Sequence, residues 1–148
     1  MIQLPAKCLH NITSAAREAY PYESCGLLVG HKYNNNFFRI TRTVKTDNVT
    51  EYDRRSNFEI DPQVHFDLLR ELNNSNLPPI LNEQIIGHFH SHPDQPPTPS
   101  ITDIKMNCDP KLIWIITSNI KNNKFDTLAY IFDTKYQHFK KIMFIIKY

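Results

Sequence analysis

The stretch IIGHFHSHPDQPPTPSITD, residues 85–103, carries the strongest fold signal in the chain. It begins with a predicted strand over residues 85–90. A proline-rich loop over residues 93–99 turns the chain back, and a short helix is predicted from Ser100 to about Asn107. The stretch therefore predicts a strand, a stiff loop and a helix in immediate succession.

Two histidines at the end of that strand are expected to point the same way. Residues two apart in a strand share a face, so His90 and His92 can aim their imidazoles at one point. A shared metal ion is the usual reason for such a pair. Asp103, at the start of the following helix, can supply a third ligand, and a catalytic zinc usually takes three protein ligands. The spacing predicts a metal site built from these three residues.

Outward from this stretch, the predicted elements follow one another along the chain in the order α-β-β-α-β-α-β-β-β. One helix runs from Cys8 and ends before Pro21, and Asp61 followed by proline marks the start of a second helix. The other predicted strands cover residues 25–30, 37–45, 112–117, 127–132 and 141–147. The polar residues 46–57 are predicted to form a loop. This order predicts a single domain over residues 1–148, of the α/β (α+β) class, with a mixed β-sheet flanked by helices.

Composition excludes several classes of protein. A formal net charge of +2 over 148 residues, with the basic residues scattered, argues against binding to nucleic acid or to a membrane. The first residues do not resemble a signal peptide, and no apolar run approaches the ~20 residues that span a bilayer. Cys8, Cys25 and Cys108 are predicted to be reduced core thiols. We therefore expect a cytoplasmic protein.

Each candidate site residue also has an ordinary structural interpretation. Ser100 followed by Asp103 matches a helix capping box. Glu23 would, on its own, be interpreted as an exposed carboxylate at a turn between a helix and a strand. His88 is interpreted as structural, because a fourth protein ligand would close a catalytic zinc site. Cys25, close to Glu23 in sequence, is interpreted as a buried thiol and not as a ligand.

Taken together, the motifs make the chain resemble the JAMM (MPN+, JAB domain) metalloprotease family. The signature of that family is an upstream Glu, then His-Ser-His-Pro, then Pro-Ser-x-x-Asp. Here these elements are Glu23, residues 90–93 and residues 99–103. The stretches PYESCGLLVG (21–30) and FEIDP (58–62) also resemble the family. No signature position is missing, and the short length resembles the compact prokaryotic type.

The resemblance implies a cytidine-deaminase-like MPN/JAMM fold with one Zn²⁺ held by His90, His92 and Asp103. It implies that Glu23 acts as the general base and that Ser100 helps to stabilise the oxyanion. The implied reaction is hydrolysis of a peptide or isopeptide bond after the C-terminal Gly-Gly of a ubiquitin-like or sulfur-carrier protein. The substrate tail is expected to add along an exposed strand edge. A homodimer is left open.

Three other classes of protein fit less well. The metallo-β-lactamase pattern His-x-His-x-Asp-His fails, because Gln95 stands at the last position. A two-His-one-carboxylate iron oxygenase uses a similar triad, but its carboxylate usually lies close to the first histidine. The alternative from a non-enzymatic class is a catalytically silent MPN-type binding scaffold. Such domains lose ligands, whereas this chain keeps all of them, and the metal content of the purified protein discriminates the two.

Overall fold

The computed structural model describes residues 1–34, 36–74, 76–78, 81–106, 109–120 and 124–148. Within these residues the chain forms eight strands and three helices. The elements are β1 (Ile2–Pro5), α1 (Ala6–Ala19), β2 (Cys25–Asn34), β3 (Phe37–Thr46), α2 (Pro62–Asn73), β4 (Gln84–Pro93), α3 (Ile101–Lys105), β5 (Ile113–Ile120), β6 (Lys124–Asp133), β7 (His138–Ile142) and β8 (Phe144–Lys147).

The strands form one mixed sheet in the order β7-β6-β5-β4-β2-β3-β1-β8. β1 runs parallel to β3 and β8, and β4 runs parallel to β5. The other neighbours are antiparallel. The two edge strands, β7 and β8, follow each other in the chain with one residue, Met143, between them. The sheet is therefore curled until its edges approach each other. The predicted mixed sheet flanked by helices is confirmed.

The main hydrophobic core lies between α1 and one face of this sheet. The buried residues of α1 are Cys8, Ile12, Ala15 and Ala16, which recur at the helical spacing that the sequence predicts. Fully buried strand residues that join them include Leu28, Phe38, Ile40, Phe89, Ile113 and Ile115. Burial of each large side chain contributes about 1.5–3 kcal/mol, so this layer fixes the position of the central strands.

The opposite face of the sheet carries the histidines of β4. His90 lies there under the ring of Phe58, with the two ring centroids 4.3 Å apart. Further along the same face, Leu68 of α2 is buried and packs with Leu27 and Val29 of β2. The histidine side chains are therefore enclosed by protein on the side away from α1.

Two helices begin with the predicted capping residues. Asp61 precedes α2, and its side chain accepts a hydrogen bond of 2.9 Å from the backbone N–H of Gln63. Ser100 precedes α3 in the same way. α3 ends at Lys105, and the predicted helix end at Asn107 lies outside the described residues.

Several strand predictions need correction. The strand β1 is not predicted from sequence, because four residues are too few to show an alternating pattern. The prediction of a single closing strand over residues 141–147 is wrong. Two strands, β7 and β8, lie in this region, and Met143 separates them. β4 continues to Pro93, beyond the predicted end at His90. This extension keeps His92 within the sheet.

No helix among the described residues combines the length and the apolar character that crossing a bilayer requires. Cys8 and Cys25 are buried free thiols, as predicted. Cys108 lies outside the described residues.

Candidate metal centre

The C-terminal end of β4 brings two imidazoles together. His90 and His92 point to the same face of the sheet, and both are buried, with 0% and 5% exposure. Their Nε2 atoms lie 3.0 Å apart. The strand is held on both sides, because His90 pairs with Cys25 of β2 and with Ile116 of β5. The convergence predicted from the two-residue spacing is present in the structure.

The carboxylate of Asp103 completes this cluster. It lies in the first turn of α3, with Oδ2 at 3.1 Å from Nε2 of His92 and Oδ1 at 3.3 Å from Nε2 of His90. The predicted capping box is also present: Asp103 N–H donates to Ser100 Oγ at 3.0 Å, and Ser100 N–H donates to Asp103 Oδ2 at 2.7 Å. The structural and the metal-binding interpretations are therefore compatible, since the cap orients the carboxylate toward the histidines.

The spacing of these three groups suits a small divalent ion. Ligand atoms bound tetrahedrally to zinc at about 2.0–2.1 Å lie about 3.3 Å from one another. The observed separations between the nitrogen and oxygen atoms are 3.0, 3.1 and 3.3 Å. Among the described residues, His90, His92 and Asp103 form the group of side chains that can hold a metal ion.

Hydrogen bonds and charge prepare the ligands for that role. Nδ1 of His92 lies 2.9 Å from the carbonyl oxygen of Pro96, which can only accept, so Nδ1 carries a proton; in the neutral ring this arrangement leaves the Nε2 lone pair for a metal ion. Burial lowers the pKa of His90, which makes this ring easier to deprotonate for a metal ion. Burial acts to raise the pKa of Asp103, but the charge of His90 and hydrogen bonds from both histidines outweigh it and lower the pKa. Asp103 is therefore ionised, as a metal ligand must be.

The pKa of His92 is shifted in the other direction, upward. Burial acts to lower its pKa, but the hydrogen bond to Asp103, the Pro96 carbonyl and the charges of Asp103 and Glu23 outweigh burial and raise the pKa. In the absence of a cation, His92 therefore retains its proton more readily than His90. A metal ion at Nε2 would replace that proton.

Glu23 also reaches the cluster. It follows α1 directly before β2, is 4% exposed, and has Oε1 at 4.0 Å from Nε2 of His92. Its Oε2 has no hydrogen-bond partner among the described residues. Burial raises its pKa to about 8, and the charge of Asp103 acts in the same direction. The interpretation of Glu23 as an exposed carboxylate is therefore wrong.

A cavity of about 220 Å³ opens onto the cluster. Glu23, His92 and Ser100 line it, and Arg55 contributes from the 46–57 segment. A second cavity, of about 490 Å³, shares Glu23 and extends past Tyr22. The five residues singled out from sequence therefore lie in one place, four in the buried cluster and Ser100 at its opening.

The other two candidates have structural positions. The ring of His88 packs against Trp114, with centroids 4.2 Å apart, and burial lowers the pKa of His88 to about 3. The thiol of Cys25 contacts Oγ1 of Thr46 at 3.5 Å and the carbonyl oxygen of Asp47 at 3.7 Å. Neither belongs to the metal-ligand group of the described residues.

Sequence reasoning misses the part that the 46–57 segment plays. Asn48 Nδ2 donates to the carbonyl oxygen of Glu23 at 3.1 Å, and the Glu23 N–H donates to the carbonyl oxygen of Arg54 at 2.8 Å. These bonds join residues far apart in sequence, so no local spacing indicates them. The polar character of the segment predicts a loop and nothing more.

Comparison with known proteins gives consistent relatives. Residues 5–130 match the family described as prokaryotic homologs of the JAB domain. A desampylase of Haloferax volcanii is 28% identical over 121 residues, which cover 79% of this chain and 80% of the relative.

Two solved structures share the fold. A solution structure of a protein from Desulfitobacterium hafniense has a TM-score of 0.83 and 25% identity, covering 99% of this chain and 93% of that chain. A solution structure from Salinibacter ruber has a TM-score of 0.70 and 21% identity, covering 99% and 92%. Because the family match spans well over half of the sequence, the chain belongs to the prokaryotic homologs of the JAB domain.

Proposed function

We propose that the protein is a zinc-dependent metallopeptidase that hydrolyses a peptide or isopeptide bond, after the C-terminal Gly-Gly of a ubiquitin-like or sulfur-carrier protein. The observation that carries the proposal is the buried cluster of His90, His92 and Asp103 with the Glu23 carboxylate 4.0 Å from His92. Membership of the JAB family and a relative that bears an enzyme's name, desampylase, support it.

Zinc would be held by His90, His92 and Asp103, two imidazoles and one carboxylate. Three protein ligands leave a position open, which is typical of catalytic zinc sites. Bound there, zinc would polarise the scissile carbonyl and acidify a water molecule. The His92–Pro96 hydrogen bond and the capping box on Asp103 hold two of the ligands in their orientations.

Glu23 is proposed to move the proton. Its raised pKa means that it holds a proton in its buried position when no cation is near, and a nearby divalent ion would lower that pKa again. The carboxylate can then take a proton from the attacking water and pass it to the leaving amine. Its Oε2 has no hydrogen-bond partner from the described residues and is available for this exchange.

Ser100 is proposed to stabilise the oxyanion. Its Oγ accepts the hydrogen bond from Asp103 N–H, so its own hydroxyl proton remains available to donate. The hydroxyl lines the cavity that Glu23 and His92 share. A donor in this position is typically worth about 10²–10³ in rate.

The two cavities on either side of Glu23 suit an extended chain that crosses the site. The edges of the sheet are β7 and β8, whereas the ligand strand β4 is paired on both sides. A substrate tail therefore cannot add to β4 over the part that lies between β2 and β5. We propose that it lies along the 46–57 segment, which lines both cavities through Arg54 and Arg55.

The test is to incubate the zinc-loaded protein with carrier proteins fused through Gly-Gly to a second domain, and to measure the masses of the products. We expect cleavage directly after the second glycine, abolished by a chelator and restored by zinc. A matched fusion ending in Ala-Ala should not be cut. A protein that binds no zinc and cuts no fusion would instead be the silent scaffold.

A further inference from the structure

Ser91 is adjacent in sequence to the histidines of the cluster but is not part of it. It lies between the two histidine ligands, yet alternation along β4 turns its side chain to the opposite face of the sheet. The residue is 1% exposed and pairs with Thr117 on β5. Ser91 therefore cannot face the metal position, and its buried hydroxyl serves something else.

The hydroxyl of Ser91 binds the residue that follows Glu23. Ser24 N–H donates to Ser91 Oγ at 2.8 Å, and Ser24 Oγ donates to the same oxygen at 3.1 Å. The backbone closes the pair, because Ser91 N–H donates to the carbonyl oxygen of Ser24 at 3.0 Å. These bonds join the Glu23 segment to β4. Ser24 is adjacent to Glu23, and Ser91 is adjacent to both His90 and His92.

The backbone, and not the side chain, fixes the position of Glu23. Its N–H and its carbonyl oxygen are held by Arg54 and Asn48, both from the 46–57 segment. Its carboxylate has an oxygen without a hydrogen-bond partner among the described residues. Ser91 adds a side-chain anchor from the strand of the ligands, next to the backbone pairing of β2 with β4, so it contributes to the distance between base and ligands.

We propose that Ser91 is a positioning residue that holds the Glu23 carboxylate at its distance from the ligand cluster. The inference rests on the proposed function in one respect, the role of Glu23 as the base. Replacement of Ser91 by Ala removes two hydrogen bonds to Ser24 but no ligand and no group that lines the cavity. The base would then lose its side-chain anchor to the ligand strand, while the three residues of the metal position stay unchanged.

The test combines kinetics with amide hydrogen exchange of the zinc-loaded protein. Ser91→Ala should lower kcat on a Gly-Gly-linked fusion by about 10- to 100-fold, with KM and zinc content unchanged. Exchange at the amides of Ser24 and Glu23 should speed up by about three- to tenfold. Ser91→Thr keeps the oxygen and should retain the wild-type rate. In a Glu23→Gln background, Ser91→Ala should change the residual rate by less than about twofold.

Thr117→Val is the matched control, since it removes a buried hydroxyl on the neighbouring strand that bonds Thr127 and not Ser24. It should leave both amides and kcat unchanged. The inference is overturned if Ser91→Ala leaves the Ser24 and Glu23 amides unaffected, or if it slows Glu23→Gln further. Should Ser91→Ala not fold, Ser24→Ala tests the same contact with a smaller expected effect. If the amides respond but wild-type protein cuts no fusion, the proposed function alone fails.

Discussion

At the scale of single residues, Asp103 takes part in two structures at once. Its carboxylate accepts the Ser100 N–H that caps α3 and lies within 3.3 Å of both histidines. Glu23 is different, because its Oε2 has no hydrogen-bond partner in the part of the chain that the structure describes. One carboxylate is thus ionised and fixed, and the other retains its proton up to a pKa of about 8. Such a difference suits a ligand and a base, respectively.

Substitution separates these two roles. Glu23→Gln should retain about one zinc per chain and lose about 10²–10⁴ in kcat, because only proton transfer is removed. His90→Ala should lose the zinc itself. Zinc is measured by atomic emission on the purified variants, and rate by product mass. Near wild-type turnover in Glu23→Gln would show that another group is the base.

The raised pKa of Glu23 predicts a pH-dependent stability of the metal-free protein. Its folded pKa, about 8, lies above the value of 4.5 expected for an exposed carboxyl. A group that binds its proton more tightly in the folded state stabilises the fold below the unfolded pKa, and this contribution is lost as the pH rises through the folded pKa. Metal-free wild-type protein should therefore lose stability between about pH 4.5 and 8 relative to Glu23→Gln.

Urea unfolding with a chelator present, at pH 5 and at pH 8, measures this difference. The midpoint of Glu23→Gln minus that of wild type should grow with pH. The lowered pKa of Asp103 acts in the opposite direction, and its contribution is lost only as the pH falls below the range tested. An unchanged difference between the two pH values would show that Glu23 is not buried as a neutral acid.

At the scale of elements, the sequence predicts what local spacing controls. Three predictions follow from local patterns in the sequence. They are the buried face of α1, the Asp61 cap of α2, and the strand, loop and helix of residues 85–103. β1 does not, since its four residues acquire strand structure only by pairing with β3 and β8. The anchors of Glu23 were equally hidden, because Asn48 and Arg54 act through long-range hydrogen bonds.

The importance of β1 is open to measurement. Leu4 is fully buried, whereas its register partner on β8, Ile146, is 38% exposed. Leu4→Ala should lower the free energy of unfolding by about 2–5 kcal/mol, because it leaves a cavity in the core. Ile146→Ala, the matched control, should cost about 0.5–1.5 kcal/mol. Equal costs for the two variants, measured by urea denaturation, would show that β1 does not contribute to the core.

At the scale of the whole molecule, the main core and the histidine cluster lie on different faces of the sheet. α1 and the main core lie on one face, and the histidine cluster lies on the other. One strand can contribute to both faces. On β4, Phe89 lies in the core and His90 lies in the cluster. This alternation explains why a core strand and two of the predicted metal ligands were read from the same short stretch.

Zinc should stabilise the whole fold by mass action. A ligand that binds only the folded state raises the unfolding temperature as its concentration increases. Wild-type protein should therefore melt at a higher temperature with excess zinc than with a chelator. Asp103→Asn, which keeps the size of the side chain but lacks the charge, should show little of this shift. Scanning calorimetry of both proteins measures it, and equal shifts would place the ion elsewhere.

The proline-rich loop between the ligands has a further consequence. Residues 93–99 contain four prolines, and Pro96 fixes the ring of His92 through its carbonyl oxygen. Prolines restrict the conformations open to this loop. Binding of an ion would therefore cost the loop little conformational entropy. Small zinc domains fold only around their metal. We therefore expect this pocket to release a bound ion and accept another without unfolding, so that access and affinity would control exchange of the metal.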